Sequence, residues 1–250
     1  MNRSGSLSSM KSNWKFLIAL VLVLSSGLLP AQEPQLRPSH SLPDLISEPH
    51  HKLVFQNDVV RVFRLELQPN EATESHRHGN FYAFFSLNPL TIANEVRGRK
   101  PVVSTLEAGE VRTSKGGFTL AERNLSSHPA ELFVVELVKP NTGSFTTPML
   151  GFRYHDTATG ELFEEGGVRA YTMTMAADGR TEPHVESYDR LVVALTDLKL
   201  RDNVVGESPT ELTMKTGEVR WFHHGQTHST MNVGTGPISF ITFEFSLGAD

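Results

Sequence analysis

Gly217-Glu218-Val219-Arg220-Trp221-Phe222-His223-His224-Gly225-Gln226-Thr227-His228-Ser229-Thr230-Met231-Asn232 begins with four residues that recur letter for letter at Gly109-Glu110-Val111-Arg112. The recurrence extends outward: residues 60–137 align with 168–245 at a constant offset of 108 and without a gap. Arg61/Arg169, Thr73/Thr181, His76/His184, Pro101/Pro209, Asn124/Asn232 and Glu136/Glu244 are identical between the copies. A repeat of this length is domain-sized rather than solenoid-sized, so the chain carries one module twice. Its 250 residues suit two domains, each large enough to bury its own core.

Composition is that of an ordinary globular protein, with 38% hydrophobic and 20% charged residues. At the amino terminus, Arg3, Lys11 and Lys15 precede an apolar run from Phe16 to Leu24, and the small residue Ala31 follows. Residues 1–31 therefore read as a secretory signal peptide: the run is too short to span a bilayer comfortably. The folded part is expected to be secreted or periplasmic, with no membrane attachment after cleavage. Loss of those three basic side chains leaves it more acidic than the whole-chain net charge of −5. That balance argues against a nucleic-acid partner, since neutralising phosphates needs a basic face. With no cysteine in the chain, thiolate nucleophiles and disulfides are excluded, and any metal must be held by nitrogen and oxygen ligands.

Residues 32–49, with Pro34, Pro38 and Pro43, read as a linker or arm. Beyond them strand signals dominate: Val62, Arg64 and Glu66 interleave with Phe63, Leu65 and Leu67, and Phe240, Thr242 and Glu244 with Ile241, Phe243 and Phe245. No 12-residue amphipathic helix follows the signal peptide. Short strands broken by Gly, Asn and Pro predict an all-β sandwich or barrel at 50–140 and again at 166–250, joined by a connection at 141–165.

Histidines punctuate both copies at matching places. Copy one has His76-Arg77-His78, and copy two has His184-Val185-Glu186; strand alternation puts each pair of candidate ligands on one face. Copy two then places Gly217, His223, Gly225, His228 and Asn232 at spacings that resemble the second motif of the cupin superfamily, G-x5-P-x-G-x2-H-x3-N, with histidine at the proline position. The earlier His-x-His and His-x-Glu segments resemble the first cupin motif, G-x5-H-x-H-x3,4-E-x6-G. Two ordered motifs, duplicated at a fixed offset, identify the chain as similar to bicupins. The resemblance implies two tandem jelly-roll barrels, a divalent metal, a small-molecule ligand and pairing of barrel edges into a homodimer.

Cupins usually ligate their metal through two histidines and a glutamate of the first motif and one histidine of the second, and both copies depart from this. In copy one Tyr82 takes the glutamate position and Leu120 that of the distal histidine, leaving His76 and His78. Two ligands are too few for a stable site, so copy one reads foremost as a packed, hydrogen-bonded pair, with weak metal binding or, together with Tyr82, a substrate contact as the alternatives. In copy two His184, Glu186 and His228 remain, while Arg190 takes the glutamate position. Two histidines and a carboxylate suit Fe(II), Mn(II), Ni(II) or Zn(II) with open positions for a substrate. Arg190 reads either as a substrate contact or as the salt-bridge partner of Glu186. His224 is the candidate acid/base, because imidazole titrates near neutral pH. Oxygenase, lyase and isomerase chemistry all remain open, as does a non-catalytic barrel that binds a small molecule. The repeated Gly-Glu-Val-Arg reads as architecture: a turn followed by a surface ion pair.

Overall fold

A computed structural model describes residues 44–138 and 143–246. The expected signal peptide and most of the expected arm lie outside these residues. Apart from a 3-10 turn at Leu45–Ser47, every regular element among the described residues is a strand. No helix among the described residues is long and apolar enough to cross a membrane.

The first half comprises β1 (His51–Gln56), β2 (Val60–Leu67), β3 (His76–His78), β4 (Tyr82–Ser86), β5 (Leu90–Glu95), β6 (Val102–Leu106), β7 (Arg112–Ser114), β8 (Phe118–Asn124) and β9 (Ala130–Leu137). They form two antiparallel sheets, β1-β2-β9-β4-β7 and β3-β8-β5-β6. The second half comprises β10 (Tyr154–Glu165), β11 (Val168–Thr181), β12 (His184–Val185), β13 (Asp189–Ala194), β14 (Leu198–Val204), β15 (Thr210–Met214), β16 (Val219–Phe222), β17 (Thr227–Asn232) and β18 (Ile238–Phe245). The same order recurs as β10-β11-β18-β13-β16 and β15-β14-β17-β12, with Arg180 on Met231 linking the two into one sheet. Each half is thus a jelly-roll barrel, the all-β architecture that the repeat predicts.

Alternation explains where the cores lie. In β2, Phe63, Leu65 and Leu67 point into the first barrel, whereas Val60 and Val62 point out of it. In β18, Ile238 and Phe240 fill the second barrel, whereas Ile241, Phe243 and Phe245 face outward. These outward faces meet: Val62, Phe85, Phe133 and Val135 of the first half form one buried cluster with Ala170, Leu191, Val193 and Phe243 of the second. Strands β9 and β18 are apolar on both faces because both faces are buried.

Two boundaries differ from the sequence reading. The fold begins before residue 50: Leu45 is wholly buried against Phe63, Tyr82 and Val134, and Glu48 is buried too. Much of the connection at 141–165 is strand β10, paired along β11. Its residues are mostly polar and half-exposed because it flanks an open edge, so no apolar alternation marks it.

Candidate metal centre

Register builds the second-barrel site. His184 on β12 pairs directly with His228 on β17, bringing their rings to 4.8 Å between centroids. His184 Nδ1 lies 2.8 Å from the carbonyl of Glu182, an acceptor, so this nitrogen carries the proton and Nε2 presents its lone pair. His228 Nδ1 lies 2.7 Å from Asp202 Oδ1, the carboxylate-histidine arrangement that orients metal-binding imidazoles. Both Nε2 atoms turn to Glu186 Oε1, at 3.2 Å and 3.0 Å. One ligand atom from each of His184, Glu186 and His228 falls within 4.8 Å of the others. Donor type and outer-nitrogen anchoring both fit a divalent transition ion.

Electrostatics keep this carboxylate anionic. Burial pushes Glu186 up, but hydrogen bonds to both imidazoles and the charge of Arg190 outweigh it and hold the group far below the carboxylate range. For His228 burial favours the neutral ring, yet Asp202 and Glu186 together raise its pKa above the ordinary value. Arg190 Nη1 reaches Glu186 Oε1 at 3.1 Å, and its guanidinium lies over the Phe222 ring at 5.2 Å. Around them is a cavity of about 70 Å³, walled by apolar groups such as Met173, Val192, Leu212 and Phe240.

Of the residues singled out from the sequence, His184, Glu186, Arg190 and His228 all line this cavity. His224 does not: it is 63% exposed, and its Nδ1 and backbone N–H both bind Asp189 Oδ1, at 2.6 Å and 2.8 Å. The fold thus places His224 outside this candidate site, away from the acid/base role that the sequence suggested. Asp202 and Phe152, which stacks on His184 at 4.0 Å, were not anticipated. Asp202 follows the inward residues Leu198 and Leu200 at strand spacing, a sequence signal; Phe152 sits in an irregular segment and gives none.

In the first barrel His76 and His78 are buried, with their Nε2 atoms 2.9 Å apart. Tyr82 is buried beside His78 at 4.4 Å between rings, and burial pushes its hydroxyl up to about 12 despite a bond to Ser114. Opposite His76 in the ladder stands Leu120, so no distal histidine completes this pair.

No protein-family profile and no curated protein matches the chain. Solved structures do. AerE from Microcystis aeruginosa superposes on 79% of this chain and 98% of its own, at 14% identity and a TM-score of 0.55. Oxalate decarboxylase from Bacillus subtilis covers 76% of this chain and 68% of its own, at 10% identity and 0.55. Vicilin from Solanum melongena covers 76% and 74%, at 14% identity and 0.57. The Bacillus subtilis decarboxylase is one with Mn(II) centres. At such identities the likeness is one of fold. By fold, then, this chain is similar to the two-barrel cupins: two jelly-roll barrels in tandem.

Proposed function

We propose that the second barrel holds a divalent metal ion through His184, Glu186 and His228 and there acts on a small, oxygen-rich molecule. The observation that carries this reading is the convergence of two Nε2 atoms and one carboxylate within 4.8 Å, with both outer nitrogens anchored. The Mn(II) centres of a protein with the same fold lend it further support. Such an ion, when bound, supplies Lewis acidity and open positions for substrate oxygens. The chain's own part is to exclude bulk water with apolar walls and to offer Arg190, a fixed fork of donors suited to a carboxylate. A cavity of about 70 Å³ limits the substrate to a few heavy atoms beyond the ion. Oxygenase, lyase and isomerase reactions all suit this arrangement. The basic residues and apolar run ahead of Ala31 favour export, so the mature protein should begin close to Gln32 by intact mass.

Purified protein loaded with Mn(II) or Zn(II) and then desalted should lose about one equivalent of metal in His228→Ala, measured by plasma mass spectrometry; equal content in both proteins overturns the proposal. One observation favours a second reading. The ion pair of Arg190 with Glu186 neutralises the carboxylate without a metal, which suits a barrel that binds a small acid and does no chemistry. Chelator-treated protein would then melt higher with small carboxylic acids alone.

A further inference from the structure

The first barrel lacks the distal histidine, but three further groups close around its histidine pair. Glu122 lies on β8, two residues beyond Leu120 and so on the same inward face. Its carboxylate is 3.3 Å from His76 Nε2 and 3.6 Å from His78 Nε2. His51 on β1 packs beside His76, with 4.7 Å between ring centroids and the rings tilted by 59°. Nε2 of this wholly buried side chain has no hydrogen-bond partner. Its Nδ1 lies 2.8 Å from the equally buried carboxylate of Glu48, which also accepts from the backbone N–H groups of His50, His51 and Glu74.

We infer that the first barrel is a second metal site, in which His51 Nε2, His76 Nε2 and the Glu122 carboxylate hold a divalent transition ion and His78 stands beside them as a fourth nitrogen. Three arguments converge. The ligand atoms of His51, His76 and Glu122 lie within 4.8 Å of one another, a spacing a single ion can bridge. The tautomers are preset: Glu48 and the carbonyl of Glu74, 2.8 Å from His76 Nδ1, both act as acceptors, so His51 and His76 each present a bare Nε2. Burying His51 Nε2 without a partner carries a desolvation penalty that an ion would remove. The ion-pair partners of Glu122 among the described residues are histidines only, so a cation between them would compensate a buried negative charge.

Comparison of the barrels shows how the site came to differ from the family pattern. Copy two has a carboxylate at Glu186 and a histidine at His228; copy one has a histidine at the first position, His78, and a carboxylate on the equivalent strand, Glu122. At these two positions the histidine and the carboxylate exchange strands, and copy one adds His51, where copy two has Thr159. A nitrogen-rich set of this kind selects Zn(II), Co(II), Ni(II) or Fe(II) over Mg(II) or Ca(II).

Co(II) titration of the chelator-treated full chain, followed by visible absorption and checked by metal analysis, tests this independently of the second barrel. His228→Ala should still bind one equivalent, and adding Glu122→Gln or, separately, His51→Gln should weaken that binding at least 100-fold in protein that remains folded by circular dichroism. If the second-barrel reading fails, wild type binds a single equivalent that His228→Ala leaves intact and Glu122→Gln abolishes, and the inference stands. A His228→Ala protein that binds no Co(II), or folded Glu122→Gln and His51→Gln proteins with an undiminished complement, overturns it.

Discussion

Several of the identities between the two copies have one physical job each, repeated. Thr73 and Thr181 accept the N–H of Glu122 and of Thr230, each at 2.9 Å. Asn124 and Asn232 are wholly buried and donate to backbone carbonyls on both sides of a turn, Leu67 and His128 in one barrel, Met175, Ala176 and Gly236 in the other. Arg61 pairs with Glu136 across β2 and β9, as Arg169 does with Glu244 across β11 and β18. Such pairs have a pH signature. Burial raises Glu136 above the usual 4.5 even against Arg61, so the folded chain keeps a proton there that the unfolded chain releases. Stability present below pH 4.5 is thereby lost as pH rises through the raised folded value. Urea midpoints from pH 4 to 7 should show Glu136→Gln gaining on wild type as pH rises; a difference independent of pH contradicts this. Among these shared residues only His76 and His184 belong to the candidate ligand clusters. The cluster of His184, Glu186 and His228 was legible because these residues keep the spacings of the cupin motifs. Glu122 stands two residues off the expected position, and His51 belongs to neither motif.

Elements add what single residues cannot. The repeated Gly-Glu-Val-Arg turns the chain into β7 and β16, and Glu110–Arg112 and Glu218–Arg220 each pair through a 2.9 Å contact, as the sequence suggested. Its glycines have a second role. Gly217 sits at φ +80°, and a Cβ there would lie 3.3 Å from Phe133 and 3.4 Å from Leu87 of the other barrel; Gly109, at φ +73°, faces Leu195 at 3.1 Å in return. Gly217→Ala should therefore cost about 1–2 kcal/mol from left-handed strain alone, read as a lower urea midpoint with unchanged slope. A variant as stable as wild type would show that the turn and interface relax freely. Strand β10 escaped the sequence reading for the opposite reason: an edge strand with mixed burial carries no two-residue period.

At the scale of the molecule, the outward faces of two barrels supply one core. Stacked Phe85 and Phe133, 5.3 Å apart, meet Phe243 from the other half. Phe243→Ala should cost about 3–5 kcal/mol and lower the melting of both halves together, in one calorimetric transition. Two transitions, with only the second barrel shifted, would contradict a shared core. The duplication was plain from the constant offset, and so was the barrel architecture. That the barrels join through β2, β9, β11 and β18 was not, since an apolar strand face does not say which partner covers it. This back-to-back packing turns both histidine clusters into the barrel interiors. The direct test of the metal centre is an anomalous difference map from crystals of the full chain grown with Mn(II). The account predicts a peak bounded by His184 Nε2, His228 Nε2 and the Glu186 carboxylate; a map with no peak there, and Arg190 still bound to Glu186, would contradict it.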